Sequence, residues 1–523
     1  MRTEETITTA AGVVGLATTL SRVLGFMRDI VIARIFGASM AADAFFVAFA
    51  IPSLLRRVVG EGSLSVSIVP VVTEYARRKG RGELWDLSNA LFCAMALLLL
   101  VLTGVGMLAA PWIVPALVPG FWASPEKLGL TIALTRLMFP FLFFIGLASV
   151  AMGVLNSLGH FAAPALAPVA LNVAMITCAL GVSPYLETPI YGLAAGVLLG
   201  GALQFLLQAP VLARRGLPLR LVWNWRHPGL ARIMWLTLPA LFGLAVAELN
   251  ALVDRWIASF LPEGSVSYLY YGNHLMQFPL AIFGTAMSVA VLPVLSAHAA
   301  QRDLAGLSQS VAFAIRVLLF LTVPATVALS VLRVPIVTVL FQRGEFGPQA
   351  TEGTASALLY YTLGLCAYAG LKVVVPAFYA LQDTKTPVRI GAYAMLLNIA
   401  LSVALMFPLQ HGGLALATSL SAFFNVGVLV GLLRRRIGRL QGRMILHSAS
   451  KVGLASMLTG GVTGWLAWVM PPASGSGAAR AMLLGGIVLA GMGCYLGLTL
   501  ALRSEEAIFM LNLVRRRWVS TRG

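Results

Sequence analysis

The chain has 523 residues, of which 59% are AVILMFWYC and 11% are charged, against roughly 25% charged in ordinary globular proteins; too little polar surface remains to coat a soluble body, which excludes a secreted enzyme, a fibrous protein and a disordered scaffold. Lys and Arg number 37 against 19 Asp and Glu, a net charge of +18, and such a surplus first suggests a nucleic-acid partner. The basic clusters Arg77-Arg78-Lys79, Arg214-Arg215, Arg434-Arg435-Arg436 and Arg515-Arg516-Arg517 instead fall between apolar runs, the positive-inside pattern of a multi-pass membrane protein whose surface contact is anionic lipid and not nucleic acid.

Breaks at clusters of glycine, proline and charge predict fourteen apolar segments, at 8–36, 40–76, 86–118, 128–154, 162–182, 190–213, 233–261, 266–298, 305–332, 351–380, 387–408, 412–433, 445–470 and 479–502. Each reaches the about 20 residues of a spanning helix, and several exceed one crossing, which calls for tilt or projection beyond the bilayer. The opening MRTEETITTA lacks the charge and short apolar core of a signal peptide, so the first run is expected to stay as a helix. Basic residues in alternate connections number 23 on one side and 4 on the other, the sparse set being Lys127, Arg333, Arg343 and Arg480. That bias predicts cytoplasmic termini, which requires an even number of spans.

An internal repeat appears at an offset near 223 residues. Pro70 matches Pro293, Pro164 matches Pro387, and Tyr191-Gly192-Leu193-Ala194 leading to Arg214-Arg215 matches Gly412-Gly413-Leu414-Ala415 leading to Arg435-Arg436. Each unit holds six segments of the same polarity, so the halves are expected to be parallel copies. The predicted fold is an all-α polytopic membrane protein. It has fourteen transmembrane helices: a six-helix bundle at 1–226, a second at 227–443 around a central cavity, and two further helices at 444–503, before a basic cytoplasmic tail at 504–523. Two facing bundles form a transporter plan.

Charges inside spanning segments are costly and tend to mark a substrate or ion path. The first two segments carry Arg22, Arg28, Asp29, Arg34, Asp43, Arg56, Arg57 and Glu61. Arg57 and Glu61 are four apart and would share a helical face, with Asp43 on nearly the same stripe if the helix survives Pro52. Internal salt bridges would account for some of these residues, but five arginines exceed three acids. The planar fork of Arg suits phosphate or carboxylate, so the inferred guest bears phosphate, with Asp29, Asp43 and Glu61 as charge pairs that gate the path. Gly25, Gly60 and Gly62 are bending points.

The second half is poorer in charge: Glu248, Asn250, Asp254 and Arg255, then Asn273, His274 and Gln277, then Lys372. Asp254 suits either a guanidinium partner or a small cation. His274, in an apolar run, reads as a core residue in preference to a ligand. Cys93, Cys178, Cys366 and Cys494 lack metal or disulfide spacing and read as small buried hydrophobes. No HExxH, GxxxxGKS or GxSxG motif occurs, so nothing points to catalysis or a bound cofactor.

The run SRVLGFMRDIVIARIFGASMAADAFFVAFAIPSLLRRVVGEG, with SYLYYGNHLMQFPLAIFGTAMSVAVLP, LFQRGEF and FYALQDTKTPVRI further on, resembles the MurJ (MviN) lipid II flippases of bacterial peptidoglycan synthesis. The likeness covers essentially the whole chain. The wider multidrug, oligosaccharidyl-lipid and polysaccharide exporter superfamily shares the twelve-helix plan without these words. The resemblance implies fourteen helices in the inner membrane, a basic central cavity and a groove for the polyprenyl tail formed with the last two helices. It implies transfer of undecaprenyl-pyrophosphoryl disaccharide-pentapeptide from the inner to the outer leaflet by alternating access, with cell-wall synthesis enzymes as further partners. Its cavity charges fall on Arg22, Arg28, Asp29, Asp43, Arg56, Arg57 and Glu61.

The family motif in the eighth segment is similar to Y-x-x-R-L-x-Q-x-P, and Tyr271 to Pro279 carry it with His274 in the Arg place and Gln277 retained. A sodium arrangement of the family falls on Asp254, Asn398 and Thr418, with Ser402 where an acid stands elsewhere. Chemistry and resemblance meet on one expectation: Arg22, Arg28 and Arg56 hold the pyrophosphate while the tail stays in lipid. The competing readings are a related exporter of another polyprenyl-diphosphate-linked glycan or a drug, and a non-transporting cell-wall scaffold. A drug exporter for cationic compounds needs an acidic cavity, and a scaffold would tolerate neutral replacements of Arg22 and Arg56.

Overall fold

The computed structural model describes residues 2–57, 65–217, 220, 224, 226–471 and 477–520, all helix, turn or loop with no strand among them. Among the described residues, eleven helices or helix pairs are long and apolar enough to cross a membrane. They coincide with eleven of the fourteen expected segments. The other three are the first, second and seventh.

The chain divides into two compact units, residues 1–266 with 343–346, and residues 267–342 with 347–523. The first contains α1 (Arg2–Phe36), α2 (Met40–Leu55), α3 (Ser65–Arg78), α4 (Gly80–Leu117), α5 (Pro125–Met138), α6 (Pro140–Ser157), α7 (Ala162–Gly181), α8 (Ile190–Arg214) and α9 (Pro228–Ala258). Local chemistry sets the helix starts. The Ser39 hydroxyl caps α2 by accepting from the Ala42 N–H, and Pro125 and Pro140 occupy first-turn positions of α5 and α6, where a missing N–H costs nothing. Its core joins Val71 of α3, Leu87 and Leu99 of α4, Leu142 and Val150 of α6, and Ile233 of α9. The helices α7 and α8 approach closely because Gly196 and Gly200 face the Cα atoms of Met175 and Leu171; a Cβ on either glycine would lie 2.9 Å from that atom. Such small-residue stripes let membrane helices pack through dispersion.

The compact units part after α9, later than the repeat boundary expected at 226/227. The start of α9 is tied to α3: the ring of its N-cap His227 lies 5.6 Å from that of Tyr75, and Arg232 pairs with Glu74 at 2.8 Å.

The second unit runs from α10 (Ser265–Pro279, from residue 267 on) through α11 (Thr285–Ala300), α12 (Leu304–Val331), α13 (Arg333–Phe341), α14 (Pro348–Leu363), α15 (Leu365–Ala380), α16 (Lys385–Leu409), α17 (His411–Ile437), α18 (Gly442–Val469) and α19 (Gly477–Ala501) to α20 (Glu505–Ser520). A π-helical turn at Leu280–Gly284 joins α10 to α11. One core joins Leu295, Val311, Val373, Phe378 and Leu429; a smaller one joins Phe320, Val452, Ala455, Tyr495 and Ala507. The segment expected only as a basic tail is thus helical, and its first turn enters this second core. On the outside, Trp112, Met457, Trp468 and Met482 are 72–80% exposed, apolar surface that suits lipid and not water.

Candidate substrate-binding site

The first unit orders the arginines of α1 and α2 unequally. Arg28 is held on two sides: its Nη2 and Nε donate to Asp29 Oδ1 at 2.8 and 3.1 Å, and its Nη1 donates to Asn172 Oδ1 at 3.1 Å. Asn172, on α7, also donates to the Ser21 carbonyl at 3.1 Å. Gly25 sits opposite this amide, where an added Cβ would meet it at 3.6 Å. Asp29 is buried, while Arg28 keeps 13% of its side chain exposed. The fork is therefore oriented without being sealed off. Arg22, two turns earlier, is exposed and makes no ion pair among the described residues. Asn172 escaped the sequence reading, although it is the one amide in the apolar run of α7.

Past Pro52 the helix does not continue regularly: α2 ends at Leu55 and the backbone widens to π geometry at Arg56 and Arg57. Glu61, Gly60 and Gly62 lie outside the described residues. Arg57 forms a bidentate pair with Glu248 of α9, at 2.8 Å from Nε and 2.6 Å from Nη2. Arg56 is half-buried beside it.

Asp43 is fully buried and accepts from Lys127 Nζ at 2.8 Å and from the Gly264 N–H at 2.8 Å. Lys127 was expected as a connecting-loop charge. It stands instead in the first turn of α5, 7% exposed, with its ammonium 4.2 Å from the Phe121 ring centroid. A buried Lys needs a counter-ion, and Asp43 together with the aromatic face supplies one. The same end is knitted by Glu263, which accepts from the Met40 N–H at 2.6 Å. Gly37 and Gly344, both at positive φ, allow backbone to pass within van der Waals reach, and the Glu345 N–H donates to the Arg34 carbonyl at 3.0 Å.

In the second unit His274 is exposed and not part of the core; the buried positions of α10 around it are Tyr271, Leu275 and Met276. Its Nδ1 lies 3.1 Å from the Tyr270 carbonyl, which assigns the proton to Nδ1 and leaves Nε2 as the second polar atom. The ring lies 4.2 Å from that of Tyr270. Gln277, also exposed, donates to the Asn273 side-chain carbonyl. Lys372 on α15 is exposed, and its stem lies beside Gly284 in the π turn.

The oxygen donors expected for sodium divide between the units. Asp254 is half-buried on α9 in the first. In the second, Asn398 and Ser402 are buried on α16, and the Thr418 hydroxyl on α17 donates to the Leu414 carbonyl at 2.8 Å. Among the described residues no group of three or more His, Cys, Asp or Glu could hold a metal ion. Outside the spans, two carboxylates are set by their own helix starts. Asp303, which accepts from the Gly306 N–H at 2.8 Å and meets His298 Nδ1 at 2.9 Å, is held below the usual carboxylate range, first by that N–H and then by the histidine. Asp383 is lowered by the Thr386 hydroxyl and N–H and then by Arg436.

A family model described as "Lipid II flippase MurJ" matches residues 32–479. The "Probable lipid II flippase MurJ" of Vibrio cholerae serotype O1 is 38% identical over 505 residues, covering 94% of this chain and 95% of its own. The "Lipid II flippase MurJ" of Burkholderia cenocepacia is 39% identical over 452 residues, covering 85% and 87%. A solved structure of lipid II flippase MurJ in an inward closed conformation superposes with a TM-score of 0.77 at 26% identity, covering 96% of this chain and 99% of that one. An inward-facing multidrug resistance MATE family transporter of the MOP superfamily matches at a TM-score of 0.67 and 18% identity, a likeness of fold alone.

Proposed function

The chain belongs to the MurJ family of lipid II flippases, and from that membership we propose how its own residues move the substrate. It is a multi-pass helical protein of the bacterial inner membrane that flips lipid II. In the mechanism proposed, Arg22, Arg28 and Arg56 receive the diphosphate, the charged part of the substrate whose passage through hydrocarbon would be most costly. The polyprenyl tail stays in lipid along α18 and α19. Loading from the inner leaflet and release to the outer one proceed by alternating access between two six-helix repeats, as transport without a catalytic step. Fourteen spans with both termini in the cytoplasm complete the arrangement.

The observation that carries this reading is the pose of Arg28. A guanidinium held from two sides by Asp29 and Asn172 has already lost the rotamer freedom that binding would otherwise cost, and Arg rather than Lys suits a diphosphate because its fork makes paired hydrogen bonds. Arg57, committed to Glu248, acts as a positioning residue that holds the end of α2 to α9. In the second unit, His274 and Gln277 offer exposed polar groups to the headgroup.

The test is rescue of a strain depleted of the protein. Arg22→Ala, Arg28→Ala and Arg56→Ala should each accumulate in the membrane yet fail to restore growth, with lipid-linked precursor building up. Full rescue by all three would leave only salt-bridge roles and would favour a scaffold. Sodium coupling is a separate proposal: a hard cation takes oxygen donors, and Asp254, Asn398 and Thr418 are of that kind. Flipping by reconstituted protein should then slow when sodium is replaced by choline, and Asp254→Asn should abolish that difference. Equal rates in both salts would remove sodium from the cycle.

A further inference from the structure

The last helix, α20, lies beyond the residues matched by the family model, which end at 479, and nothing in the flipping mechanism uses it. Its inner face is fastened to the second unit. Ala507 and Met510 pack into the small core of α12, α18 and α19. Arg316 of α12 reaches Glu505 at 2.6 Å and Glu506 at 3.4 Å, and Ser504 Oγ donates to Glu506 at 2.8 Å. The ring of Phe509 sits edge-on to Phe313 at 5.2 Å. The outer face is left bare: Ile508 and Leu511 are 45% and 51% exposed. The sequence of the same helix continues into Arg515-Arg516-Arg517 and Trp518. Bare Ile and Leu followed by clustered Arg and Trp are the composition of a helix lying in a membrane interface, not one projecting into water.

Helix lengths put α20 at that depth. At 1.5 Å per residue, Lys451 to Val469 on α18 spans about 27 Å, Arg316 to Arg333 about 26 Å and Arg480 to Arg503 about 34 Å, all near the hydrocarbon thickness of about 30 Å. Lys451 Nζ donates to the Arg503 carbonyl at 3.3 Å, so Lys451, Arg503 and Arg316 mark one edge of the apolar layer, and α20 starts there. A second basic feature stands at the same edge: Arg443, His447 and Lys451 recur at intervals of four along the start of α18, the first two exposed.

We propose that α20 is an interfacial strap that binds the anionic phospholipid surface of the cytoplasmic leaflet, seating Ile508 and Leu511 among the acyl chains while Arg515, Arg516 and Arg517 meet lipid phosphates. The sign of the charge selects the occupant, since a run of arginines attracts an anionic leaflet and gains little from a zwitterionic one. Held by Arg316, the strap fixes the edge of the second unit at the membrane surface.

The test uses the full-length protein in nanodiscs of phosphatidylcholine alone, or of phosphatidylcholine and phosphatidylglycerol in equal parts, neither holding any polyprenyl diphosphate. Amide hydrogen exchange is read over residues 505–512. Exchange there should be at least about tenfold slower in the phosphatidylglycerol discs, and high salt should erase the difference. The triple variant R515Q/R516Q/R517Q should exchange alike in both discs, at the rate of the wild type in phosphatidylcholine. Arg316→Gln should speed exchange over 505–512 in both lipids while α17 is unaffected. Identical wild-type exchange in the two discs, or a phosphatidylglycerol effect that survives the triple variant, would overturn the proposal and leave the bare face of α20 to a protein partner.

Discussion

Polar and charged side chains in the apolar helices of this protein fall into two kinds, buried and exposed, and the difference decides what mutation should do. Asp43 and Lys127 satisfy one another inside the first unit, so their loss is a matter of stability. Removing one member of a buried pair leaves an uncompensated charge and costs about 3–5 kcal/mol. Lys127→Met should therefore lower the melting temperature of the purified protein sharply. The double change Asp43→Asn with Lys127→Met should recover much of that loss, and a melting curve for Lys127→Met that matches wild type would show the pair to be idle. His274 is of the other kind, exposed, and its imidazole offers single hydrogen bonds where the planar fork of Arg makes a charged bidentate pair with a diphosphate. His274→Arg should tighten binding of a lipid-linked diphosphate by roughly tenfold, the worth of one charge-assisted hydrogen bond, and His274→Ala should weaken it. Equal affinities for all three would make His274 a spectator.

At the scale of the helix, interruptions and caps carry as much information as apolar runs. The π geometry at Arg56 and Arg57 follows the end of α2 where Arg57 pairs with Glu248, and the π turn after Pro279 joins α10 to α11. Caps supply a pH signature. The Asp303 carboxylate starts α12 by accepting from Gly306 and meeting His298, and its carboxyl is held below the ordinary value of about 3.9. A lowered folded-state value means that the stabilisation is fully present above about pH 4 and is lost as pH falls through the folded value. Asp303→Asn can still cap the helix but cannot titrate, so the variant should show a flatter dependence of stability on pH below about 4. The readout is thermal unfolding across the acid range; an unchanged acid slope would show that Asp303 does not contribute to it.

For the molecule as a whole, charge asymmetry and hydropathy make a joint statement about topology. The eleven apolar spans leave out α1, the α2–α3 stretch and α9. If all three also cross, reporter fusions after Arg78, Arg215 and Arg436 should read cytoplasmic, and fusions near Gly120 and Ser474 external. An external signal after Arg215 would break the fourteen-span arrangement.

Composition and the apolar runs were enough to establish an all-helical membrane protein and the ends of most of its spanning segments, because a bilayer punishes any spanning structure that leaves backbone groups unpaired and so makes the apolar runs legible; the family was legible only through the resemblance of particular runs such as SRVLGFMRDIVIARIFG. The arginines of α1 and α2 were legible for the same reason, since charge in such a run is rare. Partnership was not legible. Arg57 meets Glu248 across 191 positions, Arg28 meets Asn172 across 144, and Asp43 meets Lys127 across 84, distances at which helical spacing says nothing. Lys127 looked like a loop residue because its helix starts only three residues earlier, at Ser124-Pro125, and nothing local shows that an acid from another helix waits there. The burial of α20 against α12 was equally hidden, because a sequence ending in clustered arginines reads as a solvated tail until Arg316, from a distant helix, supplies the charge that fastens it. Local free energies select helices one at a time and are written along the chain; pairs of charges are selected by packing, and only the folded structure brings them together.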